Sequence, residues 1–140
     1  MEMATMQPSV FTRIIRGELP AAKVYEDEHT IAFMDAGQVN PGHVIVATRR
    51  QVETILDLDD ELAGALFRTA ARVARAVDAA FQPQGITILQ ANRPAGWQTV
   101  PHVHLHVLPR HEGDGVGLTW PRKEPPFEQL RALAARIRVE

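Results

Sequence analysis

Residues 102–110 read His-Val-His-Leu-His-Val-Leu-Pro-Arg, with histidine at 102, 104 and 106 and an apolar residue after each. A period of two belongs to a strand, which turns successive side chains to opposite faces. The alternation predicts three imidazoles on one face, about 7 Å apart from one to the next, with Val103, Leu105 and Val107 turned to a core. Pro109 is expected to end the strand. Half of the chain's six histidines thus share one surface, and histidine is the side chain whose ordinary pKa lies nearest neutrality. Such a face is a chemical site rather than an accident of composition.

Working outward, Asn92 to Val100 reads as a loop marked by Pro94 and Gly96, and Gly85–Gln90 as the strand before it. Leu62, Leu66, Ala70, Val73, Val77 and Ala80 recur at helical steps, which predicts one long helix from Asp59 to Phe81. Asp59, Asp60 and Glu61 would complement the dipole at its start. His43–Thr48 follows the Asn40-Pro41-Gly42 turn as a buried strand, and Lys23–Asp27 with Thr30–Met34 reads as a hairpin. Phe11–Arg16 suits one or two helical turns closed by Gly17 and Pro20. Beyond the histidines, His111–Gly117 is expected to be a mobile loop and Phe127–Val139 has helical spacing. Five strands and one long helix argue an α+β fold, mostly antiparallel, in a single domain over residues 1–140.

A chain of 140 residues can bury roughly two thirds of its unfolded surface in one core. A net charge of −2 leaves no basic surplus for a nucleic-acid partner. The absence of cysteine removes disulfides, thiolate nucleophiles and thiolate metal ligands. No apolar run approaches the length of a membrane span, and MEMATMQPS has no export signal, so a cytoplasmic protein is expected. Residues 1–8 are read as a flexible terminus and 120–140 as a C-terminal segment with a helix.

Three kinds of chemistry compete for the histidine face. Three imidazoles can complete a zinc sphere, although consecutive same-face positions make a poor tripod. A carboxylate usually joins such a set, and the nearest downstream acid, Glu112, lies beyond Pro109. Alternatively, a neutral imidazole attacks phosphorus and leaves again, splitting one displacement into two. Neighbouring imidazoles would keep it unprotonated, and Asn92, Gln98, Thr99 and the backbone near Gly96 offer donors for phosphoryl charge. The third reading is structural, with satisfied histidines and no chemistry.

The chain resembles the histidine triad family of nucleotide hydrolases and transferases. HVHLHVL at 102–108 matches its His-φ-His-φ-His-φ-φ signature, with φ apolar, and FTRIIRGELPAAKVYEDEHTIAFMD, NPGHVIV and AGWQTVPHVHLHVLPR agree in order and spacing. The resemblance implies a five-stranded antiparallel sheet with one long helix and one or two shorter ones, and a homodimer joining two sheets into ten strands. It implies that His104 attacks the α-phosphate of a purine nucleotide and that water hydrolyses the nucleotidyl-histidine. His102 would support the nucleophile through its backbone carbonyl. His106 and Gln98 would hold phosphate oxygens or the leaving group, and His43 would be a further active-site histidine. Asp35 would take the ribose hydroxyls, Val10, Phe11, Ile14 and Phe33 the purine, and Asn92 and Thr99 the phosphates. The activity implied is nucleoside phosphoramidate hydrolysis, as in the Hint-like branch. The alternatives are a Fhit-like dinucleoside polyphosphate hydrolase and a non-catalytic nucleotide-binding scaffold. No cofactor, nucleic acid or membrane enters any of these.

Two departures from the family pattern stand out. Many bacterial relatives hold a structural zinc through positions that correspond to Ser9, Thr12, Gln51 and His102; three of the four ligands are absent here, so that zinc is expected to be missing. Packing of Phe11, Ile14 and Ile15 would then hold the segment. Trp97 stands where many members carry a small residue, and would wall the phosphate pocket or pack against a dimer partner.

Overall fold

The computed structural model describes residues 6–140, so the expectation of a flexible 1–8 falls largely outside the described residues. Five strands form one antiparallel sheet in the order β1 (Lys23–Glu26), β2 (Thr30–Met34), β3 (Val44–Thr48), β5 (His104–Arg110), β4 (Gly85–Gln90). Three helices accompany them: α1 (Val10–Ile15), α2 (Asp60–Phe81) and α3 (Phe127–Ala134). The predicted α+β architecture is the observed one.

Strand alternation divides the interior in two. Ala32, Val44, Val46, Val103, Leu105 and Val107 face α2, which answers with Leu62, Leu66, Ala70, Val73 and Val77. Each fully buried aliphatic side chain of this kind stabilises the fold by about 1.5–3 kcal/mol. The opposite face presents Ile31, Phe33, Ile45 and Ala47 to Phe11 and Ile14 of α1. A hydrogen bond of 2.7 Å between the buried hydroxyls of Thr30 and Thr69 ties β2 to α2. Asp59 caps α2 by accepting from the Leu62 amide, so it stands just before the helix rather than in its first turn.

Pro109 does not end the last strand. β5 runs on to Arg110, with Pro109 opposite Ile86 of β4. The Pro109 carbonyl accepts from Asn40, on the β3 side, and the missing N–H points the same way. The ladder with β3 stops earlier, at Val44 opposite Val107, so no bond is forfeited. The strand also begins at His104, not His102, because Pro101 and His102 form a bend.

Residues 111–117 are held rather than free. Asp114 accepts from Arg110, the Asn40 side chain and the backbone N–H groups of His111 and Val116. The bonded Arg110 guanidinium holds its carboxyl well below the usual carboxylate range. The C-terminal helix stops at Ala134, and Phe127, Leu130 and Leu133 are exposed on it. Among the described residues no helix is long and apolar enough to cross a membrane.

Candidate active site

β5 carries His104 and His106 onto the face covered by α1, two residues apart and therefore side by side. Their ring centroids are 5.0 Å apart, closer than the rise along the strand suggests. Phe11 of α1 stands edge-on to His104 at 4.9 Å. His43 arrives from the Asn40–Gly42 turn, and its Nε2 lies 2.9 Å from His106 Nδ1. Asp35, just past β2, places Oδ2 3.5 Å from His43 Nε2 and 3.9 Å from His106 Nδ1.

The hydrogen bonds assign each ring its proton. A carbonyl oxygen only accepts, so His104 Nδ1–H donates to the His102 carbonyl across 2.6 Å. His104 Nε2 is left as a bare lone pair. His43 Nδ1 accepts from the Val39 amide at 3.4 Å, which leaves the proton on Nε2, donated to His106 Nδ1. His106 then carries its own proton on Nε2, the free side of its ring. A lone pair and an N–H donor thus stand side by side.

Burial, above all, pushes the pKa of His43, His102 and His104 down, with Asp35 opposing it at His43 and His104. His106 is lowered to about 4, by burial first and then by repulsion from His104 and His43. All four imidazoles are neutral at pH 7.

A cavity of about 510 Å³ opens over these groups, within the range for small-molecule sites. Val10, Phe11, Ile14 and Phe33 wall it, joined by Ile45 and Val100, while Asp35, Thr99, His104 and His106 supply its polar atoms. Other expected residues lie apart from it. Gln98 donates to the Glu53 and Val100 carbonyls and accepts from the Arg93 amide. These bonds shape the loop, and Gln98 is outside the residues that line the cavity. Asn92 is locked in reciprocal bonds with Gln90 and caps Ile55. The Trp97 side chain is exposed, on a backbone with φ of 78°, and is outside the residues that line this cavity. Both it and Arg93, φ 65°, adopt a conformation costly for residues with a Cβ, which orients this loop.

His102 is fully buried, but its ring faces away from the chemistry. Its Nε2–H donates to the Thr48 carbonyl at 2.6 Å and its Nδ1 accepts from Ser9 Oγ at 2.6 Å. Ser9 N and Thr12 Oγ1 both donate to Gln51 Oε1, at 2.8 and 2.6 Å. The four positions that correspond to the zinc ligands of relatives therefore converge and saturate one another. One imidazole with neutral hydroxyl and amide oxygens does not fit zinc. The segment is tied down by this polar clip as well as by Phe11 and Ile14.

Gln38 escaped sequence reasoning. Its amide donates to the Asp35 and His43 carbonyls and accepts from the Gly42 and His43 amides, fixing the turn that presents His43. A glutamine in a turn has no local signature of that task, since its partners are set by tertiary closure.

An apolar slot ending on paired, neutral imidazoles, built on a five-stranded sheet, defines the class of protein that the histidine spacing resembles. The HIT domain profile matches residues 16–113, and the chain belongs to that family. It is 42% identical over 131 residues to protein hit of Bacillus subtilis, spanning 91% of this chain and 90% of that one. It is 29% identical over 129 residues to the adenosine 5'-monophosphoramidase hnt1 of Schizosaccharomyces pombe, spanning 91% and 94%. The crystal structure of a HIT family protein from Bacillus anthracis superposes with a TM-score of 0.89 at 38% identity, covering 94% of this chain and 96% of that one.

Proposed function

We propose that the chain is a nucleoside phosphoramidate hydrolase acting through a nucleotidyl-histidine on His104. The observation that carries the reading is the 2.6 Å bond from His104 Nδ1 to the His102 carbonyl, which leaves a neutral Nε2 lone pair for attack. The fungal relatives named as adenosine 5'-monophosphoramidases support the choice of bond.

In this reading a purine sits among Val10, Phe11, Ile14 and Phe33, with Asp35 on the ribose hydroxyls. His104 Nε2 attacks the α-phosphorus and the P–N bond to the amine breaks. His106 Nε2–H donates a hydrogen bond to the departing nitrogen, which takes its proton from water. Water takes the vacated place and releases a proton to solvent. Its oxygen bonds to phosphorus, and the P–N bond to His104 breaks, restoring the imidazole. Chain residues and water balance the reaction without a cofactor. Thr99 lies on the phosphate side, and Gln98 and Asn92 act by holding its loop.

We also propose a homodimer. β4 is an outer strand of the sheet, its far edge unpaired among the described residues, and exposed Phe67 of α2 adds apolar surface that a partner would cover.

Two assays with purified protein test the activity. His104→Ala is expected to abolish hydrolysis of adenosine 5'-monophosphoramidate while retaining binding of adenosine monophosphate. Turnover near that of the parent protein would remove His104 from the nucleophilic role. Diadenosine polyphosphates cleaved as efficiently as the phosphoramidate would replace this reading by the polyphosphate one.

A further inference from the structure

One feature of the cavity floor goes beyond hydrolysis. Asp35 Oδ2, His43 Nε2 and His106 Nδ1 come from three separate pieces of chain and lie within 4.8 Å of one another. Their separations are 2.9, 3.5 and 3.9 Å. A tetrahedral ion with ligands about 2.1 Å away sets its donor atoms about 3.4 Å apart, so the three edges bracket the requirement. Sheet register supports the arrangement, with Ile45 opposite His106 and Met34 opposite Val44 bringing the three groups together. His43 is 3% exposed, so its ring is already ordered before any ion arrives.

We propose that Asp35, His43 and His106 form a site for one transition-metal cation of the Zn²⁺ class, its fourth position turned to the cavity. Two imidazoles and a carboxylate suit Zn²⁺ and Co²⁺, whereas Mg²⁺ and Ca²⁺ prefer all-oxygen spheres. His106 already presents a bare Nδ1. His43 must pass its proton from Nε2 to Nδ1, a tautomer exchange with no net proton change that gives up the long contact to Val39. The ion then replaces the hydrogen bond between the two rings. This set draws on one histidine of the alternating strand, not three, and its carboxylate comes from upstream rather than from Glu112. It is also separate from the clip around His102, whose ring nitrogens are both engaged. The ion occupies the groups assigned above to the ribose and the leaving nitrogen, so cation and nucleotide exclude each other; that consequence rests on the proposed function, while the binding itself does not.

The test is calorimetric titration of the metal-stripped full chain with Zn²⁺ in the absence of nucleotide, with the visible bands of Co²⁺ as the reporter of a tetrahedral sphere. One ion per chain is expected. Asp35→Asn, His43→Gln and His106→Gln should each weaken binding by at least the roughly 10–100-fold that loss of even an outer partner costs. Asp35→Asn keeps the shape of the side chain, and its thermal midpoint checks that the fold survives. Binding should persist in His104→Ala, in which turnover is lost under the proposed function, and in His29→Ala and His111→Ala. No uptake, uptake unchanged in Asp35→Asn, or uptake lost only in the His29 or His111 variants would overturn the proposal. A zinc-binding chain without phosphoramidase activity would leave this inference standing and remove the other.

Discussion

His104 donates through Nδ1 to the backbone carbonyl of His102, two residues away, while the His102 ring points to Ser9 and Thr48. Main chain and side chain of one residue therefore serve different ends. The carbonyl orients the His104 ring, and the imidazole joins α1 to the end of β3.

His102→Ala separates the two. The carbonyl remains, but a fully buried ring is lost and the Thr48 carbonyl and Ser9 hydroxyl lose their partner. The expected loss of stability is about 2–4 kcal/mol, measured by urea unfolding. In the folded fraction, kcat should fall far less than in His104→Ala. Equal loss in both variants would give the His102 ring a direct part in the reaction.

Acid should weaken the fold in a defined window. His43, His102, His104 and His106 all have pKa values below the ordinary 6.5, His106 at about 4. Between these limits the unfolded chain binds protons that the folded chain refuses, so stability falls as pH falls. Each histidine contributes up to about 1.4 kcal/mol per pH unit there. Thermal midpoints should be nearly level above pH 7 and drop steeply from 6.5 toward 4, with a shallower drop in His106→Gln. A midpoint rising on acidification through that window would contradict the assignment of neutral rings.

Gly42 admits no side chain. Its φ is 103°, and a Cβ there would stand 2.8 Å from the Phe81 ring. Gly42→Ala combines backbone strain of about 1–3 kcal/mol with that collision, and it displaces the turn carrying His43. Both stability and turnover should fall. Phe81→Ala added to it should recover the steric part alone, read as partial return of the thermal midpoint.

The polar clip is shaped to accept a metal if given the right donors. Ser9→Cys, Thr12→Cys and Gln51→His together supply two thiolates and an imidazole beside His102 Nδ1. The triple variant should bind one additional Zn²⁺ and melt higher with it than without. Zinc uptake no greater than in the parent chain would show that the four positions do not converge closely enough.

Much of the fold was legible because local pattern and tertiary demand agreed. β4 coincides with the predicted Gly85–Gln90, and the α2 stripe from Leu62 to Val77 is the buried one. The strand start was misjudged because His102 is claimed by Ser9 and Thr48, 93 and 54 residues away. Pro109 misled because its missing donor matters only on the β3 side, which topology alone reveals. Histidine spacing gave the reactive face, and the apolar slot followed from the resemblance. The aim of Gln98 and Asn92 was hidden, since left-handed backbone at Arg93 and Trp97 turns that loop. For α3, helical spacing was visible in the sequence, but nothing there said that its apolar residues would stay exposed.

The cavity lies at a seam: Phe11 comes from α1, and His104 from the last strand of the sheet. Neither piece alone makes a pocket, and during synthesis the wall must wait for the floor to emerge. Ligand binding therefore reports that the two distant stretches have met. Under the proposed function, nucleotide bound there would act as a clasp on chain closure, slowing the departure of α1 from the sheet.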